Sequence, residues 1–285
     1  MRIAISGANG FIGRNLKVVL QKRGWEVIPL ERNDFDHGTD HLVRIISGTD
    51  VVINLAGAPI VHRWTEIYKQ ELRNSRINTT RRLVDAMAVT AQPPKLFIST
   101  SAIGIYSGEG THTEIDYNPA GDFMGKLCQD WETEAKAAAT FTRTVIFRLG
   151  IVLARDGGAL PKMMLPFKLG LGGKIGSGRQ GFSWIHIQDL IAAYLFVIEN
   201  SHLNGVFNLT SPGPCDNITL TKTIARILHC PAFFEVPVFV LKLIYGEGAA
   251  AVTEGQIALP ERLLSAGFQY KFPELEGALR DILCV

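Results

Sequence analysis

The stretch from Gly7 to Gly13, near the amino terminus, constrains the fold more than any other part of the sequence. Strand-like residues 2–6 lead directly into it, and a helical stretch at 15–23 follows it. A glycine turn between a strand and a helix suits a phosphate, because the glycines allow a tight turn, a close backbone approach and close helix packing, while free N–H groups at the helix start face the anion. The spacing is G-x-x-G-x-x-G, not the more familiar G-x-G-x-x-G. The stretch predicts a dinucleotide site at Gly7, Asn9, Gly10, Phe11, Ile12 and Gly13.

Two charged residues after the second predicted strand bear on which dinucleotide is bound. Glu31 follows Gly13 by eighteen residues, close to the distance of about twenty at which an acidic residue holds the ribose hydroxyls of NAD. Arg32 comes next and would instead form a bidentate contact with a 2′-phosphate. The two residues therefore argue for opposite cofactors. The alternative is a solvated Glu–Arg pair at the end of a strand.

The composition excludes several classes of protein. The chain has 285 residues and a net charge of +2, from 29 basic and 27 acidic residues, so no nucleic-acid partner is expected. Four cysteines are scattered without metal-ligand spacing, which predicts no metal site. No apolar run approaches the roughly 20 residues of a membrane helix, and the strand that begins at residue 2 leaves no room for a signal peptide. We expect a cytoplasmic protein with no membrane partner.

Strands and helices alternate along the first half of the chain. Strands are predicted near residues 2–6, 26–30, 51–55, 95–100 and 144–149. Helices are predicted near residues 11–23, 64–90 and 122–139. This order favours right-handed crossovers, and hence an α/β fold with a doubly wound parallel sheet and helices on both faces. The apolar runs at 51–53 and 96–98 lack alternation, as expected of strands that are buried on both sides.

Beyond the middle of the chain the pattern changes. Glycine-rich stretches predict an inserted loop over residues 154–183, after which strands at 184–186 and 206–209 return to the sheet. We therefore expect a nucleotide-binding domain over residues 1–211 and a smaller C-terminal substrate region over residues 212–285. The inserted loop and the C-terminal region should gather over the carboxyl edge of the sheet, where the ligands of such folds bind.

Several motifs resemble those of the extended short-chain dehydrogenases/reductases, the superfamily of sugar-nucleotide epimerases and dehydratases. Residues 54–57, Asn-Leu-Ala-Gly, are similar to its N-N-A-G-type motif after the fourth strand of the fold. Residues 99–102, Ser-Thr-Ser-Ala, are similar to the S-S-S-A stretch that supplies the active-site serine, and 148–153 and 184–190 are similar to the R-P-x-x-V-Y and F-I-H-V-x-D signatures. A closer resemblance is to an atypical branch labelled "epimerase family protein" or cell-division inhibitor, marked here by Arg63-Trp64-Thr65, Leu165-Pro166-Phe167 and Leu259-Pro260-Glu261-Arg262. This resemblance spans nearly the whole chain and implies a Rossmann-type sheet, with the cofactor across the carboxyl ends of strands 1 and 4.

The resemblance also implies binding of NADP(H). Carried over by position, the contacts besides the glycine turn would come from Glu31, Arg32, Leu55, Ala56, Gly57, Glu71 and Arg76. Related chains have a small residue or threonine at the position of Glu31, and a carboxylate there would crowd a 2′-phosphate. Arg32 keeps NADP(H) favoured over NAD(H).

The resemblance fails at the usual catalytic pair. Reductases of the superfamily use Tyr-x-x-x-Lys, in which the lysine lowers the pKa of the tyrosine so that it acts as an acid or a base. Here the lysine position falls on Lys126 and the tyrosine position on Asp122, while Tyr106 and Tyr117 lie upstream with no lysine four residues on. The candidate catalytic residues are therefore Ser101, which would hydrogen-bond a substrate or else cap a turn, and Lys126, which is otherwise a solvated helix residue.

Two classes of function fit these observations. In the first, the protein is an oxidoreductase that uses NADP(H) on a small carbonyl or hydroxyl compound. In the second, it is a non-catalytic NADP(H)-binding regulator or sensor, because binding needs only the cofactor cradle whereas hydride transfer also needs a proton donor. Epimerisation of a sugar nucleotide ranks below both, since it needs the missing tyrosine. The sequence sets no expectation for the substrate or the oligomeric state.

Overall fold

The computed structural model describes residues 1–283 and is built on a six-stranded parallel sheet. In chain order the strands are β1 (Arg2–Ser6), β2 (Glu26–Leu30), β3 (Val51–Asn54), β4 (Leu96–Ala102), β5 (Arg143–Leu149) and β6 (Gly205–Leu209). Their spatial order is β2-β1-β3-β4-β5-β6, with parallel pairing throughout, which confirms the predicted sheet. β2 is added on one side of β1, and the next strand, β3, is added on its other side. The carboxyl ends of β1 and β3 therefore flank a crevice suited to a ligand. β3 is the third strand along this chain, although the resemblance counted it as the fourth.

Helices cover both faces of this sheet. Within residues 1–283 the α-helices are α1 (Phe11–Lys22), α2 (Thr39–Ile46), α3 (Glu66–Arg73), α4 (Thr79–Val89), α5 (Phe123–Ala137), α6 (Leu160–Lys168), α7 (Ile187–Glu199), α8 (Asn217–Leu228), α9 (Val238–Tyr245), α10 (Ala250–Thr253), α11 (Glu261–Ser265) and α12 (Leu275–Leu283). α1 and α7 pack on one face, and α2, α4 and α5 on the other. The helix expected at 64–90 is divided into α3 and α4 by a π-helical turn, Asn74–Asn78.

Alternate residues of β1 enter apolar cores on opposite faces of the sheet. Ile3 and Ile5 pack in the core that contains Leu190 of α7. Ala4 packs in the other core, with Leu83 of α4. All five side chains are fully buried. Because both faces are covered, the strands carry continuous apolar runs, as expected from the sequence.

The segment predicted as an inserted loop contains regular structure. α6 lies within it, and the short strand Gly173–Ile175 pairs in parallel with Phe234–Val236 of the C-terminal region. Gly181–Phe182, at its end, pairs antiparallel with Cys215–Asp216. The expectation of an irregular loop was therefore wrong, because the glycines punctuate short elements rather than one long connection.

The strand expected at 184–186 forms but does not join the central sheet. Trp184–His186 pairs in parallel with Ile151–Leu153 in a separate two-stranded sheet. The chain leaves β5 at Gly150, where an added Cβ would lie 2.7 Å from the carbonyl oxygen of Ser183. This close approach holds the chain beyond β5 against the segment that contains Ser183. The predicted strand at 206–209, by contrast, does join the central sheet, as β6.

The C-terminal region is joined to the sheet domain by backbone pairing and by arginine hydrogen bonds. Ile257–Ala258 pairs in parallel with Thr111–His112. Arg262 donates to the carbonyl oxygens of Val206 and Asn204, at 2.6 and 2.8 Å. These contacts bring the region against β6, at the edge of the central sheet.

The described part of the chain shows neither a membrane-spanning helix nor a cluster of metal ligands. Among residues 1–283, no helix is long and apolar enough to cross a membrane, and no group of three or more His, Cys, Asp or Glu is arranged to hold a metal ion. Cys128, Cys215 and Cys230 form no disulfide. The fourth cysteine of the sequence, Cys284, lies outside the described residues.

Candidate functional site

The glycine turn joins β1 to α1 as predicted. Gly7 has a φ of +74°, which favours glycine, and an added Cβ would lie 2.8 Å from the carbonyl oxygen of Leu55. A Cβ on Gly13 would overlap the carbonyl oxygen of Gly7, so α1 packs directly on the turn. Gly10 precedes α1, and no side chain of the described residues caps this helix. The first N–H groups of α1 are therefore available to an anion.

The other residues predicted in this turn have different environments. Asn9 is exposed, and Ile12 packs partly buried against the core. The ring of Phe11 lies so close to Gly157 that an added Cβ on that glycine would overlap it. The glycine turn is thus in contact with the segment that leads into α6, which the sequence did not reveal.

Asn54 holds a second turn beside the first. Its Oδ1 accepts hydrogen bonds from Ser6 Oγ at 2.5 Å and from the Ala56 N–H at 3.3 Å. Its Nδ2 donates to Thr80 Oγ1 of α4 at 2.8 Å. These bonds fix the predicted residues Leu55 to Gly57 next to Gly7. Asn54 was part of the sequence motif, but its role as a clamp between β1, β3 and α4 needs the tertiary structure.

Arg76 is a partly buried cation at this second turn. Its Nη2 donates to the Ala58 carbonyl at 2.8 Å, and its guanidinium lies so near Gly57 that an added Cβ there would approach it to 3.1 Å. Its other hydrogen bonds go to the Leu72 carbonyl and the Ser75 hydroxyl, so no carboxylate is among its hydrogen-bonding partners in the described residues. Burial lowers the pKa of this guanidinium. An anionic ligand group would relieve the burial of an unpaired charge.

The charged residues predicted to select the cofactor lie on the surface at the same edge. Glu31 follows β2, whose last residue is paired with the last residue of β1, so it lies near the glycine turn. Arg32 is 84% exposed, and its Nη2 is 3.9 Å from Glu71 Oε1. The structure thus brings Arg32 and Glu71 together across the crevice. This loose ion pair leaves the guanidinium free to turn toward a phosphate.

A cavity of about 330 Å³ connects the second turn with the candidate catalytic serine. Leu55, Ala56, Gly57 and Arg76 line one side, and Ser101, at the end of β4, lines another. Residues 250–256 of the C-terminal region contribute Glu254 and Gln256 to the wall, as expected for a region gathered over this edge. No tyrosine or lysine is among the described residues that line it.

Asp122 and Lys126 occupy the positions at which the superfamily has its catalytic tyrosine and lysine. Asp122 lines the cavity but caps α5, because its Oδ1 accepts the Gly125 N–H at 2.7 Å. Lys126 is exposed on α5 and does not line the cavity. The structure therefore does not bring Lys126 to Ser101. Asp122 and Lys126 are four residues apart, but they have different environments. The Asp122 side chain folds back to cap the start of α5, whereas Lys126 extends into solvent.

Ser101 is tied to a buried network behind the cavity. Its Oγ donates to Glu132 Oε1 at 3.0 Å. Arg148 binds the same carboxylate in a bidentate pair, Nε to Oε1 at 2.7 Å and Nη2 to Oε2 at 2.9 Å. Ser101, Glu132 and Arg148 are each at most 2% exposed. Sequence reasoning missed Glu132, whose only signal was a lone acidic residue on the helix that follows the serine strand.

Tyr106 belongs to this network and does not replace the missing phenol. Its hydroxyl donates to Asn208 Oδ1 at 2.5 Å and accepts from Arg148 Nη1 at 2.9 Å. Burial raises the pKa of Tyr106 to about 12. Tyr117 lies with its ring 4.7 Å from the Arg148 guanidinium. Both tyrosines therefore flank the arginine behind the cavity rather than the cavity itself.

The chain matches two family models. The model of the "NAD dependent epimerase/dehydratase family" matches residues 3–210, and that of a "domain of unknown function (DUF1731)" matches residues 236–282.

Similar proteins occur in animals and bacteria. The "epimerase family protein SDR39U1" of Mus musculus is 39% identical, covering 99% of this chain and 100% of that protein. The "epimerase family protein YfhF" of Bacillus subtilis is 38% identical, covering 99% and 98% of the two chains. A crystal structure of human epimerase family protein SDR39U1 (isoform 2) with NADPH is 35% identical, covers 99% of each chain and superposes with a TM-score of 0.90.

Proposed function

The chain belongs to the NAD dependent epimerase/dehydratase family, and we propose that it binds NADP(H) at the carboxyl edge of its sheet and uses it as an oxidoreductase on a small carbonyl or hydroxyl compound. The phosphates would lie on the turn from Gly7 to Gly13 at the start of α1, where a Cβ at the first or third glycine would clash. Leu55, Ala56 and Gly57 would form the adjoining wall.

Arg76 supports this placement by its charge. It is a partly buried cation with no carboxylate among its hydrogen-bonding partners in residues 1–283, and it lies against Gly57. A cofactor phosphate at this turn would supply the anionic partner that its neutral acceptors do not. The chemistry of the donors therefore fits an anionic dinucleotide.

NADP(H) is proposed over NAD(H) on the position of Arg32. Its exposed guanidinium is held only by a contact of 3.9 Å with Glu71, so it is free to form a bidentate bond with a 2′-phosphate. A human relative that matches over 99% of each chain was crystallised with NADPH. Glu31 opposes this choice, because its carboxylate would repel a phosphate and favour ribose hydroxyls.

Calorimetry with Arg32→Ala tests the cofactor. We expect the variant to bind NADPH more weakly by about 1.5–3 kcal/mol, the scale of a hydrogen bond to a charged group, and to bind NADH almost unchanged. Arg44→Ala is the control, because Arg44 is also exposed but lies in α2, away from the glycine turn. Tighter binding of NADH by the wild type, lost in Glu31→Ala, would show that Glu31 rather than Arg32 selects the cofactor.

One observation carries the enzymatic part of the proposal: the second turn and its arginine, proposed to hold part of the cofactor, line the same cavity as Ser101; these residues are Leu55, Ala56, Gly57 and Arg76. When bound, the nicotinamide would supply the hydride acceptor or donor. Ser101 would hydrogen-bond the reacting group of the substrate, and the C-terminal residues at 250–256 would help to exclude water. Lys126 receives no role in this proposal, because its side chain is exposed outside the cavity.

The second candidate function is NADP(H) binding without turnover, as a regulator or sensor. It is favoured by the lack of a tyrosine or lysine among the described residues that line the cavity, since hydride transfer to a carbonyl needs a proton donor. Turnover of the enzyme-bound cofactor separates the two. It is followed by NADPH fluorescence, with small aldehydes and ketones added to bound NADPH and small alcohols added to bound NADP+. Turnover that is lost in Ser101→Ala supports the enzyme, and a bound cofactor that no compound of either class oxidises or reduces supports the sensor.

A further inference from the structure

The carboxylate of Glu132, beneath Ser101, has a hydrogen-bond donor for each of its four lone pairs. Oε1 accepts from Ser101 Oγ at 3.0 Å and from Arg148 Nε at 2.7 Å. Oε2 accepts from Arg148 Nη2 at 2.9 Å and from Lys136 Nζ at 3.3 Å. An ionised carboxylate only accepts hydrogen bonds. In the Ser101–Glu132 pair the serine must therefore be the donor.

Glu132 is held in its ionised form by its partners. Burial acts to raise its pKa, but the hydrogen bonds and charge of Arg148 outweigh burial and hold the pKa of this carboxyl below its ordinary value. The charged groups that face it are Arg148 from β5 and Lys136 from the next turn of α5. At neutral pH the carboxylate therefore stays an acceptor, and Ser101 does not gain a proton from it.

Because its proton is directed at Glu132, Ser101 faces the cavity as a hydrogen-bond acceptor. A serine hydroxyl has one proton and two lone pairs, and the proton is directed at Glu132. Among residues 1–283, no group donates to Ser101 Oγ. Ser101 is 2% exposed and lines the cavity. Its lone pairs are therefore what it offers to a ligand there.

We propose that Glu132 is a positioning residue that fixes Ser101 as a hydrogen-bond acceptor, so that the cavity binds its ligand at this point through an O–H or N–H donor. The inference rests on the proposed function only in taking that ligand to be the cofactor or the substrate. A hydroxyl compound would bind here in preference to the corresponding carbonyl compound, whose oxygen would face the serine lone pairs.

Turning the Ser101 hydroxyl toward a carbonyl ligand would not remove this preference. It would leave one lone pair of a buried, ionised carboxylate without a donor, and such a group carries a desolvation cost. Two sources can supply the donor: a hydroxyl of the substrate, or the carboxamide N–H of the nicotinamide. Both the substrate hydroxyl and the carboxamide would donate a hydrogen bond to Ser101, and calorimetry distinguishes them.

Neutron diffraction from deuterium-exchanged crystals of the wild-type protein tests the polarity directly, with or without a bound ligand. We expect the Ser101 deuterium to point at Glu132 Oε1. A deuterium directed into the cavity would overturn the proposal. Glu132→Gln should release this orientation, because its amide can donate to Ser101. If that variant does not fold, the wild-type map and Ser101→Ala still decide the question.

Calorimetry identifies the source of the donor. NADPH is compared with its reduced 3-acetylpyridine analogue, in which a methyl group replaces the carboxamide NH2. A preference for NADPH of about tenfold, the scale of one hydrogen bond, that is lost in Ser101→Ala assigns the donor to the cofactor. Equal preferences in the wild type and Ser101→Ala, with the Ser101 deuterium directed at Glu132, assign it to the substrate.

The control and the contrary outcomes are distinct. Thr223→Val removes a buried hydroxyl in α8 that donates to the Thr219 carbonyl at 2.8 Å, so it should keep the wild-type preference. Weaker binding of both nucleotides to Ser101→Ala, with no preference for NADPH in the wild type and the Ser101 deuterium directed into the cavity, would show that Ser101 donates to a carbonyl, against the proposal. Failure of both nucleotides to bind would count against the proposed function, while the orientation of Ser101 in the free protein would still test the role of Glu132.

Discussion

At the scale of single residues, two helical glycines differ in how closely the structure packs around them. Gly13 lies in the first turn of α1, and Gly277 lies in α12. An added Cβ at Gly13 would overlap the carbonyl oxygen of Gly7 and come within 2.7 Å of Ala8 Cα, whereas one at Gly277 would meet nothing within 4 Å. The same substitution should therefore have opposite effects at the two sites.

We expect Gly13→Ala to lower the free energy of unfolding by about 1–3 kcal/mol, the usual range for overpacking. Gly277→Ala should raise it by about 0.5–1 kcal/mol, because alanine costs less conformational entropy in a helix. Urea denaturation of both variants measures the difference, and NADPH calorimetry on Gly13→Ala reports on the turn. Stabilisation by both substitutions would contradict the close packing of α1 on the glycine turn.

At the scale of elements, a histidine begins α7. The Nδ1 of His186 accepts the N–H of Gln188 at 3.1 Å, so the ring caps the helix in its neutral form. Its Nε2 lies 3.3 Å from Asp281 Oδ2 of α12 without a well-formed hydrogen bond. Burial lowers the pKa of His186, against the opposing charges of Asp281 and Asp189.

The cap should make stability depend on pH. The pKa of His186 in the folded protein lies below its unfolded value of about 6.5, so the unfolded chain binds a proton first as the pH falls. Its contribution to stability is complete above that pH and is lost progressively below it. We expect the wild type to lose more of its free energy of unfolding than His186→Asn between about pH 7.5 and pH 5.

Urea denaturation across that pH range is the measurement. Asparagine retains a capping oxygen but does not titrate, so His186→Asn isolates the proton. His202→Asn, at an exposed histidine, is the matched control and should keep the wild-type pH dependence. Parallel stability curves for the wild type and His186→Asn would exclude this role for the cap.

At the scale of the whole molecule, the C-terminal region is bound to the sheet domain at several points. One point is the hydrogen bond from Arg262 of α11 to the Val206 carbonyl of β6. At another, the carboxylate of Asp189 in α7 accepts the backbone N–H groups of Lys271 and Phe272, at 2.7 and 2.9 Å. Asp189 is 1% exposed. The division between residues 1–211 and 212–285 remains a prediction from the sequence, and these contacts predict that the two parts unfold together.

We expect Asp189→Ala to lower the free energy of unfolding by about 2–4 kcal/mol, because two amide N–H groups lose their acceptors. Asp189→Asn keeps one oxygen acceptor and should lose less. In the wild type, urea transitions followed by tryptophan fluorescence and by circular dichroism should coincide. Two separate transitions would mean that the C-terminal region is an independent domain.

Much of the fold could be predicted from local sequence. The strands at 2–6 and 26–30 form with the predicted bounds, and the glycine turn lies between strand and helix as expected. These features depend on neighbours along the chain: apolar runs, glycines and their spacing. α2 escaped prediction because its two buried residues, Leu42 and Ile46, make too short an apolar pattern to stand out.

By itself, the sequence determined the α/β sheet, the place of the glycine turn and the absence of the Tyr-x-x-x-Lys pair. Only the tertiary structure decided that Lys126 faces solvent while Ser101 faces the cavity. It alone placed Glu132 beneath that serine, and Arg76 beside Gly57 without a carboxylate among its hydrogen-bonding partners in the described residues. The physical reason is that hydrogen-bond polarity and unpaired charge arise from groups that lie far apart in the chain and meet only when the sheet and its helices pack.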